Sequence, residues 1–240
     1  MKFFLLAFSL IFFIAGCSSL ELEAVPSSAQ ETQRILSLGL SHDENLIEAS
    51  KLDTPHMVAV VTLQLKNAQD EKIQAQIDLE EANKYAEKVM IMEKNSKFIS
   101  SEVSENVKNG VLDTDIDFVT YSIEGSKDLN SDFIKHKLNL SIVYNSKNSR
   151  NYDSVKFCDK WNNCSDTSQI INSVSVNASD CKNNSCNFTE VMNLKLTQDF
   201  LNESIDKGFS MRLISKKKTN RIVLSKAYLM GYLKVIQNLN

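Results

Sequence analysis

The chain is poor in the residues that mark most recognisable sites. Its 240 residues include 6 glycines, 2 prolines, 1 tryptophan and 3 histidines. So few glycines and prolines exclude collagen-like or linker-like low complexity. No phosphate-cradling glycine loop, no Gly-x-Ser-x-Gly and no His-Glu-x-x-His spacing occurs. Cys-x-x-Cys is missing too, which removes the thioredoxin-like redox reading. There is no internal repeat. Charge of one sign is also lacking: 27 basic against 30 acidic residues leave a net charge of −3, so nucleic acid is not the implied partner.

What is present begins at the amino terminus. One early cation, Lys2, precedes an apolar run from Phe3 to Ile14, and Ile14-Ala15-Gly16-Cys17 leads into the polar Ser18-Ser19. The run is too short to span a bilayer as a mature helix and has a small residue just ahead of the cysteine, so it reads as a signal peptide.

Those four residues resemble the lipobox of bacterial lipoprotein precursors, with Ile14 where leucine is usual. The resemblance covers about twenty residues and concerns processing alone. It implies removal of residues 1–16, lipidation of Cys17 and acylation of the new amino terminus. Two or more acyl chains, palmitate among them, anchor stably where one binds marginally. Ser18 after the cysteine resembles lipoproteins sorted to the outer membrane. The expected location is therefore the periplasmic face of that membrane, with Cys17 as the membrane anchor.

The expected organisation is a signal peptide over 1–16, a lipidated tether with short helices over 17–54 and a single α+β domain over 55–240. Ser18 to Gln30, with Pro26-Ser27-Ser28, reads as the tether itself. The apolar spacing from Glu31 to Lys51 suggests short helices interrupted at Gly39-Leu40-Ser41. Met57 to Leu65 is valine-rich and alternates, with Val61, Leu63 and Leu65 on one face, which predicts a strand. Ile73, Ile77, Ala82, Ala86 and Val89 form a helical stripe, predicting a helix through about Lys88, followed by strands on both sides of Asn95.

Beyond Gly110 the pattern is β-rich: Ile116 to Ile123, Lys137 to Tyr144, Ser154 to Phe157, Ile170 to Val176 and Phe188 to Leu196. Thr197 reads as an N-cap, Gly208 as a helix stop, and Phe209 to Leu213 with Ile222 to Leu224 as a returning pair. Ser225 opens a final helix through about Gln237. The fold class is α+β, a mostly antiparallel sheet with a helix packed at the C-terminus.

Four cysteines remain in the mature body. In an exported chain they read as disulfides, and local pairing of Cys158 with Cys164 and Cys181 with Cys186 is favoured among three connectivities, because each pair brackets a polar loop. A four-cysteine zinc site requires two to four residues within each ligand pair, which Cys158 and Cys164 exceed. No metal or cofactor is assigned.

Asp113-Thr114-Asp115-Ile116-Asp117 with Glu124 copies the acidic spacing of a calcium loop, but Phe118 stands where glycine is needed, so an acidic turn entering a strand is the preferred account. His42, His56 and His136 are scattered. His42-Asp43-Glu44 fits a helix start, where acids meet the dipole. Two features suit binding: Trp161 inside the first cysteine loop, and the basic turn of Lys216, Lys217, Lys218 and Arg221. The sequons Asn177-Ala178-Ser179 and Asn187-Phe188-Thr189 are set aside because the lipobox is bacterial. The functional expectation is a lipid-anchored envelope protein with a non-catalytic binding or assembly role toward an envelope protein or polymer. An envelope hydrolase with an assembled site and a surface-displayed lipoprotein are the competing readings.

Overall fold

The structure, a computed structural model, describes residues 26–92, 96–108, 116–127, 133–159, 163–171, 174–216 and 218–237. Residues 1–25, which include Cys17 and the segment read as a signal peptide, lie outside them. The chain divides into two compact units, Met1–Glu71 and Lys72–Asn240.

In the first unit, Ser27 caps α1 (Ser28–Ser37) and Ser41 caps α2 (His42–Ser50), each closing a capping box with Gln30 or Glu44 three residues on. The segment read as a tether thus becomes helical from Ser28. Gly39, at φ 67°, makes the expected break between the two helices. The predicted strand over Met57 to Leu65 is overturned, because these residues lie inside α3 (Pro55–Ala86). Pro55 opens that helix and the Thr54 hydroxyl accepts from the Met57 amide. Val61 and Leu65, four apart, are buried with Ile35 and Ala49, whereas Leu63 between them is 59% exposed. Packing at helical spacing decides over the β propensity of a valine-rich run.

The second unit holds the rest of α3 and the remaining elements. A hairpin of β1 (Met90–Met92) and β2 (Lys97–Ile99) follows as expected; Asn95 is outside the described residues. Then come β3 (Val103–Lys108), β4 (Ile116–Lys127), β5 (Ile134–Ser146), β6 (Ser154–Cys158), β7 (Gln169–Ile170), β8 (Val174–Lys182), β9 (Ser185–Leu196), α4 (Gln198–Ser204), β10 (Phe209–Ile214), β11 (Thr219–Leu224) and α5 (Lys226–Gln237). The larger sheet runs β1-β2-β4-β5-β9-β8, with β3 pairing the first half of β4; the smaller runs β11-β10-β6-β7. Neighbours in both are antiparallel. The expected strand over Ile170 to Val176 is instead two strands in different sheets, since β7 pairs with β6 and β8 with β9.

Register explains the core. Val119, Tyr121 and Ile123 pair with Ile142, Leu140 and Leu138, and the last two with Met192 and Leu194, so one face of the larger sheet is a continuous apolar surface. The apolar residues Val155, Met211, Leu213, Ile222 and Leu224 of the smaller sheet join the same core. Helix α5 adds Tyr228, Leu229, Tyr232, Leu233 and Ile236, each side chain stabilising by about 1.5–3 kcal/mol on burial. The Tyr228 hydroxyl meets Ser100 Oγ at 2.6 Å, and its ring stands edge-on to Tyr85 and Tyr121. At Gly231 the backbone of α3 comes so close that a Cβ would lie 2.6 Å from both Ala82 O and Tyr85 Cβ. The protein is α+β, with a mostly antiparallel sheet and a C-terminal helix on it.

Candidate binding surface

The smaller sheet gathers most of the binding features read from the sequence. Its buried faces are Val155 on β6, Met211 and Leu213 on β10, and Ile222 and Leu224 on β11, so the alternate positions point outward. Arg212 is the direct cross-strand partner of both Lys156 and Arg221. Three cations therefore form one row across the outer face. Cations on three neighbouring strands give that outer face a basic character.

The row is flanked on both sides along the strand direction. Cys158, two residues beyond Lys156 on the same face, bonds to Cys164 and closes the first loop. At the other end of β10 the basic turn carries Lys216, which is exposed, and Lys218, which is half-buried. From Ser210, opposite Cys158, to Ile214 at the turn is four residues, about 13 Å at about 3.3 Å per residue. Trp161 and Lys217 lie outside the described residues.

Beside the disulfide, Phe157, Phe200 and Phe209 line a cleft of about 310 Å³, with ring centroids 4.7 to 5.7 Å apart. Asp159, Glu203 and Lys207 stand at its walls. The cleft is apolar with charged edges, as ligand-binding hollows commonly are.

Cys181 and Cys186 also pair, but elsewhere, at the tip of the β8–β9 hairpin in the larger sheet. Asn183 and Asn184, both at positive φ, make its turn. The two disulfide loops are therefore not one site. Both local pairings are as the spacing suggested, and with the four sulfurs spent on each other the zinc alternative has no ligands.

The two described acids of the calcium-like spacing, which the sequence already disfavoured as a site, do not come together. Asp117 and Glu124 are seven residues apart on one strand and so face opposite sides of the sheet. Asp117 is buried and bound by Arg150, while Glu124 meets Lys97 and Lys137 on the outer face. Asp113 and Asp115 lie outside the described residues.

Three buried polar clusters were not legible in the sequence. Arg150 donates to both Asp117 oxygens, to the Tyr152 hydroxyl at 3.0 Å and to Asn220 Oδ1 at 3.3 Å. Burial pushes the Tyr152 phenol up to about 12, against the lowering by Arg150, so it remains a neutral donor. Glu190 accepts from the amides of Arg150, Asn151 and Tyr152 and from the Tyr144 hydroxyl.

His136 is the third. Gln198 Nε2 donates to Asn202, which leaves Gln198 Oε1 as acceptor for His136 Nε2–H at 2.6 Å; Nδ1 then accepts from the Tyr232 hydroxyl at 2.9 Å. Burial lowers the His136 pKa, opposed by the Gln198 bond, and burial raises that of Tyr232, so both stay neutral. His42, as expected, starts a helix whose first turn holds Asp43 and Glu44.

Among the described residues no helix is long and apolar enough to cross a membrane, and no group of three or more His, Cys, Asp or Glu side chains is placed to hold a metal ion. Neither a family model nor a curated protein matches the chain.

Proposed function

We propose that this chain is a lipid-anchored bacterial envelope protein with a non-catalytic binding or assembly role. The signal peptide is removed, lipidated Cys17 holds the protein at the periplasmic face of the outer membrane, and the outer face of the smaller sheet binds an anionic envelope protein or polymer. The anchor rests on the resemblance of Ile14-Ala15-Gly16-Cys17 to a lipobox. The observation that carries the binding role is the row Lys156, Arg212 and Arg221, set between the Cys158–Cys164 loop and the basic turn. Binding is favoured over catalysis because the converging titratable groups are committed to one another: Asp117 to Arg150, and His136 to Tyr232 and Gln198.

The test has two readings. Mass spectrometry of the amino-terminal peptide from purified membranes should find acylated Cys17 as the first residue; a mature chain retaining residues 1–16, or an unmodified Cys17, sinks the anchor. Crosslinking in cells should then capture a specific envelope component that a Cys17→Ala variant loses. A folded, lipidated protein that captures nothing specific counts against the binding role.

A further inference from the structure

The larger sheet carries a second cationic site, on the face turned away from its core and at the strand ends. Register builds it. One outer row places Lys97 of β2 opposite Ser126 of β4, and Ser126 opposite Lys135 of β5; the next places Glu124 opposite Lys137, and Lys137 opposite Lys195 of β9. The alternation Lys135-His136-Lys137 sends both lysines outward and the histidine into the core.

Lys135, Lys137 and Lys195 line a hollow of about 540 Å³ whose other walls include Glu124, Phe133 and Thr197. Among the described residues that line it, Glu124 is the one acid. It lies 3.4 Å from both Lys97 and Lys137 and accepts from the Asn139 amide. Burial raises the Glu124 pKa, but Asn139 and the two lysines outweigh it and hold the carboxyl below the ordinary range, so it is charged at neutral pH.

Among the described residues, one carboxylate thus faces four ammonium groups. Lys137 and Lys195 stand directly opposite each other on adjacent strands, an arrangement that destabilises the free sheet and is relieved when an anion bridges them. A single phosphate would leave charge over, since Lys135 lies one row from Lys137 and Lys195. Phe133, 59% exposed, gives the hollow an apolar wall large enough to lie against a sugar ring. The volume falls within the range of small-molecule sites.

We propose that this hollow binds a sugar carrying two phosphates, with Lys137 and Lys195 on one phosphate, Lys135 on the other and Phe133 against the ring. The inference stands on the larger sheet alone and does not depend on Cys17 or on the cation row of the smaller sheet. The same chemistry occurs in a soluble sugar bisphosphate and in the headgroup of a phosphorylated glycolipid.

The experiment is calorimetric titration of the full chain in detergent with glucose 1,6-bisphosphate, glucose and inorganic pyrophosphate. The bisphosphate should bind, glucose should not, and the double variant Lys137→Gln, Lys195→Gln should lose at least about tenfold in affinity, as expected for two charged hydrogen bonds. Phe133→Ala should weaken the sugar bisphosphate and leave pyrophosphate unchanged, and Lys66→Gln, exposed on α3 and in neither cationic site, should change neither. Folding is monitored by melting: at low salt without ligand the double variant should melt at or above the wild type, because repulsion is relieved. Flotation with phosphatidylcholine vesicles, with and without a bisphosphorylated glycolipid, separates the two sources. Binding of the soluble sugar alone, or of both, agrees with the proposal. No binding of either, equal binding by the double variant, or pyrophosphate binding as tightly as the sugar bisphosphate overturns it.

Discussion

Arg150 grips Asp117 through both terminal guanidinium nitrogens, Nη1 to Oδ2 at 2.5 Å and Nη2 to Oδ1 at 2.8 Å, with both side chains buried. Asp117 lies on the larger sheet, and Asn220 of the smaller sheet donates to the same carboxylate at 2.6 Å. Arg150 also lies over the Tyr144 ring, 3.9 Å from its centroid. The pair therefore ties the two sheets together in the second unit. Asp117→Ala leaves a buried cation without its partner and should cost about 3–5 kcal/mol. Urea unfolding checks this. A loss below about 1 kcal/mol, the worth of an exposed pair, would show that the site is solvated.

Gly231→Ala should destabilise although alanine is the better helix former by about 1 kcal/mol. Its Cβ would meet backbone and side-chain atoms of α3 at 2.6 Å, and overpacking of this kind costs about 1–3 kcal/mol. A lower melting temperature is expected. A rise would mean that α3 can retreat from α5 without penalty.

Stability should depend on pH through His136. Its folded pKa lies below the unfolded value of 6.5 because burial disfavours the imidazolium. The unfolded chain then binds more protons, so this contribution is complete above pH 6.5 and is lost as pH falls through the folded pKa. Melting between pH 7.5 and 5 should show a decline that His136→Gln flattens; equal slopes in the two proteins would contradict the assignment.

The two disulfides should be fasteners and not the basis of the fold. Cys158 and Cys164 are six apart and Cys181 and Cys186 five apart, so each short loop contributes about 2 kcal/mol in the chain-entropy picture. Circular dichroism after reduction should show retained strand and helix content with a lower melting temperature. Collapse to an unfolded spectrum would disprove it.

The last quarter of the chain was the most legible. Alternation of Met192, Leu194 and Leu196, the Thr197 cap and the turn at Gly208 each reflect a local rule, and the structure follows them. Val61 and Leu65 were misread because a spacing of four fits both a strand face and a helix face; Ile35 and Ala49 settle it, and they come from earlier in the chain. The cation row had one visible member, Arg221. Lys156 and Arg212 are unremarkable until register places Arg212 between Lys156 and Arg221. Asp117, Arg150 and Asn220 are separated by 33 and 70 residues, beyond any pattern of spacing.

If the outer face of the smaller sheet is the contact surface, reversing its charge must abolish the contact. Lys156→Glu with Arg221→Glu changes the face without touching the core. Crosslinking in cells, scored as the yield of each captured envelope component relative to wild type, should show the specific partner lost while lipidation, abundance and melting temperature are kept. The same component captured at wild-type yield by the reversed protein would show that the partner docks elsewhere.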